Sequence, residues 1–350
     1  MFVAVETWVF IGELFVTSLL VAAISAGILS LILSLVCGPW LIRWLKSRFI
    51  ERIASDSAKL NELHAAKQNT PTMGGLLISG TANFAILCFS DLTSPIVWLV
   101  CGTILSLTLL GAFDDWIKLR TKRKGLTARQ KLLAQMVIAF GAATSIYVLH
   151  LKTGSAGMVL VPGTDSTLHF GLYWIPWAVF VIVGASNAVN LTDGLDGLAA
   201  GTSAVASIAM LMVICGSSML KDDASSRTVA AISCAALAGS TLGFLWWNRH
   251  PARIFMGDAG SLPIGGLLAI AALSTGTELL LAIVGVVFVV ETLSVILQVA
   301  WFRRTRKRIL LCSPLHNHFV FCGVAETKIV LWFWLVAVIA ATLGVSAAFW

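Results

Sequence analysis

A chain of 350 residues that is 58% hydrophobic and only 12% charged, with a mean hydropathy of +0.91, is too apolar to be a water-soluble globular domain. Its net charge of +7 comes from 24 Lys and Arg against 17 Asp and Glu. No basic helix or aromatic platform stands clear of the apolar stretches, which argues against a nucleic-acid partner, and a bilayer is the solvent that fits.

Stretches of about 18 or more mostly apolar residues are long enough to cross the hydrocarbon core as helices. In chain order they are 14–42, 73–90, 92–113, 132–149, 170–191, 198–220, 228–247 and 259–277, then 279–302, interrupted by Glu291, and 329–350. Ten spans are therefore predicted, packed as an all-α polytopic bundle, because a spanning segment must satisfy its own backbone. The first is too long for a signal peptide and lacks a preceding basic segment, so it is expected to stay in the mature chain. No internal repeat, low-complexity tract or domain-sized linker interrupts the sequence, and 1–350 reads as one integral membrane domain. The seven cysteines show no CxxC spacing and are expected to be unpaired packing residues.

Lys and Arg are retained on the cytoplasmic side of a membrane protein. Segments 43–67, 118–131, 249–253 and 303–328 hold 21 of the 24. Only Lys152, Lys221 and Arg227 remain for the opposite face, so both termini are predicted outside, with five cytoplasmic loops including a short one at 190–196. The basic face sets orientation, and it also attracts anionic lipid and anionic substrate.

With the loops assigned, the carboxylates sort by face. Asp114 and Asp115 end the third span, Asp193 and Asp196 flank the turn after the fifth, and Asp258 starts the eighth. All five lie at cytoplasmic helix ends. Glu6, Glu13, Asp91, Asp165, Asp222, Asp223 and Glu278 fall on the outer side, where isolated solvated carboxylates are expected. Two adjacent aspartates at a membrane boundary are costly if both ionise, so Mg²⁺ or a lysine belongs beside Asp114 and Asp115. Mg²⁺ takes hard oxygen ligands, usually one or two carboxylates plus phosphate oxygens. The second aspartate could instead act as a general base, and taken alone the pair is equally a plain helix flank.

Asn187, Asn190 and Asp193 recur every three residues and form a polar stripe on a helix that leads into Asp193-Gly194-Leu195-Asp196-Gly197, where the glycines let backbone approach a ligand. Phe255-Met256-Gly257-Asp258-Ala259-Gly260-Ser261 reads as a helix start, with Asp258 as a good N-cap and free N–H groups suited to phosphate. Lys67, Thr70 and Thr72 precede an unusual Gly74-Gly75 pair; the run is not a Walker loop but suits phosphate contact. In Ser313-Pro314-Leu315-His316-Asn317-His318, two histidines without a third ligand make a poor transition-metal site, and contact with a pyrophosphate or sugar fits better. His64, His150, His169 and His250 have no comparable context and read as interface residues, while Glu291, inside a span, is equally structural or functional.

Together these segments resemble the phospho-N-acetylmuramoyl-pentapeptide transferase family, within the polyprenyl-phosphate N-acetylhexosamine 1-phosphate transferase superfamily. The resemblance runs from about Lys46 to the last span and rests on five ordered motifs: Lys67 with Thr70 to Gly75, Gly111 to Lys118, Asn187 to Leu198, Phe255 to Leu262, and Pro314 to Phe319. It implies a ten-helix fold with a cytoplasm-facing cleft, a homodimer in the bacterial inner membrane, and Mg²⁺-dependent transfer of phospho-MurNAc-pentapeptide from UDP-MurNAc-pentapeptide to undecaprenyl phosphate. Lipid I and UMP would be the products. By the same resemblance Asp258 is a metal ligand, and Asp114, Asp115 and His316 are needed for activity. Lys67, Thr72, Lys118, Lys131, Asn187, Asn190, Asp193, Asp196, Asn248, Phe255, Gln298 and His318 are then expected to contact nucleoside, diphosphate or sugar. One departure stands out: the family's loop usually reads His-His-His, and here Asn317 takes the middle place, where an amide can hydrogen-bond but cannot titrate.

A lipid phosphate is already an anionic nucleophile and needs alignment more than activation, with lysines such as Lys67, Lys118 or Lys131 neutralising the diphosphate. Direct attack on the β-phosphorus is the simpler route, and a two-step route through an aspartyl phosphate also fits the residues. The rival readings are a sister enzyme that moves GlcNAc-1-phosphate from UDP-GlcNAc to a polyprenyl phosphate, and a transporter. Transporters gather polar residues near the midplane, whereas here they cluster at one face.

Overall fold

The structure, a computed structural model, describes residues 2–49, 70–121, 125–164, 166–216 and 224–349, with only the backbone described for 2–16. Lys67, Asp165, Asp222, Asp223 and the side chains of Glu6 and Glu13 lie outside the described residues.

Twelve α-helices follow in order among the described residues: α1 Phe2–Lys46, α2 Gly75–Phe89, α3 Pro95–Arg120, α4 Ala128–Thr153, α5 Trp174–Thr192, α6 Leu198–Gly216, α7 Ala224–Asn248, α8 Asp258–Ser274, α9 Glu278–Val284, α10 Val286–Thr305, α11 Leu315–Phe321 and α12 Glu326–Ala348. The all-α polytopic expectation holds. The exception is a small antiparallel hairpin, β1 Met158–Leu160 with β2 Thr167–His169, which ties the α4–α5 connection to the neighbouring helix ends through Leu160 N–H on the Gly276 carbonyl.

Local chemistry explains the helix ends. Proline at the first position opens α3, where its missing N–H costs nothing. Thr127 and Gln130 form a reciprocal capping box at the start of α4, and left-handed Gly154 closes it. The predicted ninth span is not continuous: Gly285 separates α9 from α10, and it is the residue with the least helical preference in that stretch apart from proline. Glu291, expected to interrupt the span, sits inside α10 without breaking it.

Among the described residues, eight helices are long and apolar enough to cross a membrane, and two apolar ones, Gly75–Phe89 and Asp258–Ser274, are shorter. At 1.5 Å per residue these two rise about 22 and 26 Å, against a hydrocarbon core of roughly 30 Å. Both start at the same place, so their shortness recesses that place below the helix ends around it. In lipid the hydrophobic effect does not drive helices together, and close packing of small residues takes over. α8 is accordingly buried along its whole length and rich in glycine and alanine, with α3 and α5 against its sides. Hydroxyls add cross-links: Ser30 Oγ donates to the Ala236 carbonyl at 2.8 Å, and Ser34 Oγ lies 3.0 Å from Thr81 Oγ1. Large apolar side chains such as Trp98, Leu133, Phe180 and Leu335 face outward, as a bilayer requires.

Two expectations are corrected and one holds. Glu278 is not a solvated outer carboxylate: it is 3% exposed and accepts a hydrogen bond from Trp177 Nε1. His150 is not an interface residue but is buried against Trp174, with Nε2 3.3 Å from the Ser274 carbonyl oxygen. The seven cysteines are free thiols, as expected.

Candidate active site

The recessed point is where α2, α3 and α8 cross. Gly75 of α2 lies directly on Gly260 of α8, and Gly111 of α3 on the Asp258 carbonyl, so that a Cβ at any of these positions would overlap backbone. Gly257 turns the chain into α8 with φ of +70°, a region where a side chain is strained, and it leaves no room for one between Asp115 and Thr72. The cap of α8 is therefore Gly257. Asp258, expected as the N-cap, is instead the first helical residue and makes no capping bond. Its carboxylate is free to face sideways.

It faces the end of α3. Asp114, Asp115 and Asp258 are 2%, 3% and 7% exposed, and one oxygen of each lies within 4.8 Å of the others. Adjacent residues diverge by about 100° on a helix, so Asp114 and Asp115 find different backbone donors. Asp114 Oδ1 accepts from Leu126 N–H at 2.6 Å, and Asp115 Oδ2 from Ala259 N–H at 3.2 Å. Lys118, one turn on, reaches all three carboxylates, at 2.8 Å from Asp114, 3.2 Å from Asp115 and 2.9 Å from Asp258. Lys131, from the first turn of α4, also meets Asp258, at 2.5 Å. With three carboxylates against two ammonium groups the cluster carries one excess negative charge if all are ionised. Hard oxygens, clustered and under-neutralised, suit a divalent cation of the Mg²⁺ type.

The polar stripe of α5 completes this side. Asn190 Nδ2 donates to Asp258 Oδ1 at 2.7 Å and to Ser261 Oγ at 2.8 Å, while Asn187 Nδ2 donates to Gln135 Oε1 at 2.8 Å. Asp193 caps the end of α5, half-buried. Thr72 is buried beside Gly257, and Phe255 is half-buried, its N–H bonded to the Pro71 carbonyl and its carbonyl to Gly74 N–H.

Other expected site residues sit in a second layer. Asp196 turns its carboxylate to His250 Nδ1 and Ala252 N–H, both at 3.1 Å, and its own N–H donates to Glu326 at 2.8 Å. His250, read as having no context, thus belongs to this turn, and Glu326 was not singled out at all. Asn248 bridges Gly197 N–H and the Ile254 carbonyl, both at 2.9 Å. Gln298 binds the N–H groups of Ile309 and Leu310 and the Leu310 carbonyl, each at 3.0 Å. His318 Nδ1 accepts from Leu311 N–H at 3.2 Å. His316 is 1% exposed and Glu291 0%. One Glu291 oxygen accepts the backbone N–H of His316 at 3.1 Å, which ties Glu291 to this loop, and the other lies 3.2 Å from Nδ1 without forming a hydrogen bond. The opposite edge, Nε2, packs on Gly194 with no polar partner.

A cleft of about 850 Å³ opens between α4, α5, α9 and α10. Its lining is apolar apart from Asn187 near the carboxylate cluster, Thr292, and Glu278 at the far end. Phe140, Phe180 and Ile296 along it are exposed, so the cleft faces the hydrocarbon and leads to within one turn of Asn190. Sequence reasoning missed Gln135, buried behind this wall and bonded to Asn187; the available signal was an amide one turn after Lys131 in an otherwise apolar span.

The sequence has known relatives. Residues 97–276 match the family model described as glycosyl transferase family 4, and residues 67–78 match signature 1 of phospho-N-acetylmuramoyl-pentapeptide-transferase. A protein of that name from Solidesulfovibrio magneticus is 42% identical over 334 residues, covering 93% of this chain and 92% of the relative. Its namesakes from Citrifermentans bemidjiense and Thermodesulfovibrio yellowstonii are 41% and 40% identical, over 93% and 90% of this chain and 92% and 89% of theirs. A bundle built around three clustered carboxylates, matched across more than half its length by the family model and across nine-tenths by these relatives, belongs to the phospho-N-acetylmuramoyl-pentapeptide-transferase family.

Proposed function

We propose that the protein transfers phospho-MurNAc-pentapeptide from UDP-MurNAc-pentapeptide to undecaprenyl phosphate, giving lipid I and UMP. The observation that carries this is the meeting of two features: a cluster of three carboxylates held by two lysines, and an apolar, bilayer-facing cleft that ends beside it. A polar diphosphate and a lipid phosphate need such a junction. An oxygen of the lipid phosphate attacks the β-phosphorus, a new phosphoanhydride bond forms, and the bond to the α-phosphate breaks with its electron pair leaving on UMP. Lys118 and Lys131 neutralise the phosphates, and Asp114 or Asp115 takes any remaining lipid-phosphate proton.

Asp258, with Asp114 and Asp115, would hold Mg²⁺, which when bound supplies positive charge to the diphosphate. Lys67, Thr72, Asp193, Phe255, His316 and His318 contribute to the donor pocket, while Asp196, Asn248 and Gln298 shape it by fixing the backbone around it. The positive-inside distribution supports a cytoplasmic donor site in a bacterial inner membrane, with residues 1–350 acting as one membrane domain and two copies pairing as a homodimer.

The test is UMP release by purified protein given undecaprenyl phosphate with either UDP-MurNAc-pentapeptide or UDP-GlcNAc. Release with the first donor alone is expected. Release with UDP-GlcNAc alone reassigns the chain to the sister reaction, and release with neither overturns the proposal.

A further inference from the structure

Apart from Asp114, Asp115 and Asp258, a second set of ligand-type side chains meets among the described residues: Asp196, His250 and Glu326, with one donor atom of each within 4.8 Å of the others. They come from three separate elements, the turn after α5, the loop after α7 and the first turn of α12. The chemistry of this set differs from that of the first, because one of its donors is an imidazole nitrogen. Mg²⁺ prefers hard oxygen ligands, whereas Zn²⁺ and its neighbours in the transition series take imidazole readily.

The geometry suits such an ion. His250 Nδ1 lies 3.1 Å from Asp196 Oδ2 and 3.9 Å from Glu326 Oε2. Two donors bound tetrahedrally to Zn²⁺ at about 2.0 Å stand about 3.3 Å apart, so one edge is already formed and the other needs a movement of about 0.6 Å. A single hydrogen on Nδ1 points to one oxygen at a time, whereas a cation between the three binds both oxygens and the ring lone pair. The carboxylates are also oriented by backbone, as metal ligands commonly are: Asp196 Oδ2 accepts Ala252 N–H at 3.1 Å, and Glu326 Oε1 accepts Asp196 N–H at 2.8 Å. Solvent reaches the set, since the His250 side chain is 44% exposed and that of Glu326 18%. An ion can enter past the imidazole, and water can complete its shell. Occupancy would tie together segments that frame the active site. Gly194, in the same turn as Asp196, packs on His316 Nε2, and the loop carrying His250 runs on to Gly257 and Asp258.

We infer that Asp196, His250 and Glu326 bind one transition-metal dication of the Zn²⁺ class, in a structural site separate from the Mg²⁺-type cluster at Asp258. The ion fastens the start of α12 to the turn after α5 and the loop after α7 without touching the catalytic carboxylates. The site is independent of the transfer reaction, and its test needs no substrate.

Protein without a histidine tag, stripped with EDTA in detergent and moved to chelator-free buffer, is titrated with Co²⁺ and then with Zn²⁺. Co²⁺ is expected to give the visible bands of a four- or five-coordinate ion, saturating at one equivalent per chain and lost when Zn²⁺ is added. About a hundredfold excess of Mg²⁺ should leave the bands in place. His250→Ala and Glu326→Gln are each expected to weaken Co²⁺ binding at least about tenfold and to remove the rise in unfolding temperature that Zn²⁺ gives the wild type. Asp258→Asn should keep both the bands and the rise. If His250→Ala does not yield folded protein, Glu326→Gln gives the same readings. Absence of the bands in the wild type, bands that survive both substitutions, or bands lost in Asp258→Asn alone overturn the inference.

Discussion

The two ends of the apolar cleft each bury a carboxylate, and they satisfy it in opposite ways. At the inner end Asp258 is met by two lysines and an asparagine, and two more aspartates share the lysines. At the outer end Glu278 has a tryptophan indole, Trp177 at 3.3 Å, on one oxygen and nothing on the other. Burial pushes the Glu278 carboxyl up to about 7. The first arrangement keeps charge inside the protein with cations that a substrate's phosphates can share. The second favours the neutral acid and asks for no partner. Burial of an acid alone therefore does not mark a site; the marker is a cluster of carboxyls that shares lysine counter-charges.

The contrast is broken most severely by removing charge at the inner end. Asp115→Asn keeps the shape of the side chain but withdraws one of the three carboxylates, and it is expected to lower kcat at least a hundredfold, about 2.7 kcal/mol of barrier. Chelation with EDTA should abolish UMP release, and added Mg²⁺ should restore it. A variant within tenfold of wild type, or turnover indifferent to EDTA, would separate the cluster from the chemistry.

A smaller effect is expected one layer out. Glu291→Gln can still accept the backbone N–H of His316, but it withdraws the negative charge that lies 3.2 Å from Nδ1. A drop of about tenfold in kcat with the unfolding temperature nearly unchanged is the expected outcome, and an equal effect in a His316→Ala background would show that the two residues act separately.

Asn317 should matter less. It is half-buried and its N–H is bonded to the Pro314 carbonyl. Asn317→His is expected to change the rate by less than about threefold and to leave the pH profile in shape. A new titration between about pH 6 and 7 in the variant alone would mean that charge at this position couples to turnover.

The smallest effect on turnover belongs to the outer end. Glu278 holds its proton more tightly in the folded protein than its ordinary value of 4.5, so stability is highest below about pH 4.5 and declines as pH rises to about 7, by at most about 3 kcal/mol. Glu278→Gln should flatten that decline in thermal unfolding across this range, with turnover unchanged. A steeper decline would show that the ionised form is the stabilised one.

Much of the inner end was legible in the sequence, because it is written in residue type and boundary. Carboxylates at helix ends on the basic side, Asp114, Asp115 and Asp258, and an asparagine stripe leading to them are local features. What decided the rest is which distant side chains meet. Nothing near Glu278 in the chain announces Trp177, a hundred and one positions away, and nothing near His250 announces Asp196. The break at Gly285 leaves the hydropathy of its span intact, so a window average passes over it. Asn248 and Gln298 were expected to line the pocket, but their amides are committed to backbone groups whose identity depends on loop paths that the sequence does not spell out. Gln135 carried no motif, and only its hydrogen bond with Asn187 in the folded protein connects it to the stripe.

The central claim is that the chemistry belongs to the Asp258 end of the cleft. UMP release from UDP-MurNAc-pentapeptide and undecaprenyl phosphate, measured for Asp258→Ala and Glu278→Gln at matched unfolding temperatures, tests it most directly. The account predicts that Asp258→Ala retains less than a tenth of the wild-type rate, more than about 1.4 kcal/mol of barrier, while Glu278→Gln turns over as wild type does. Turnover above a tenth in Asp258→Ala, or an equal loss in both variants, would contradict it.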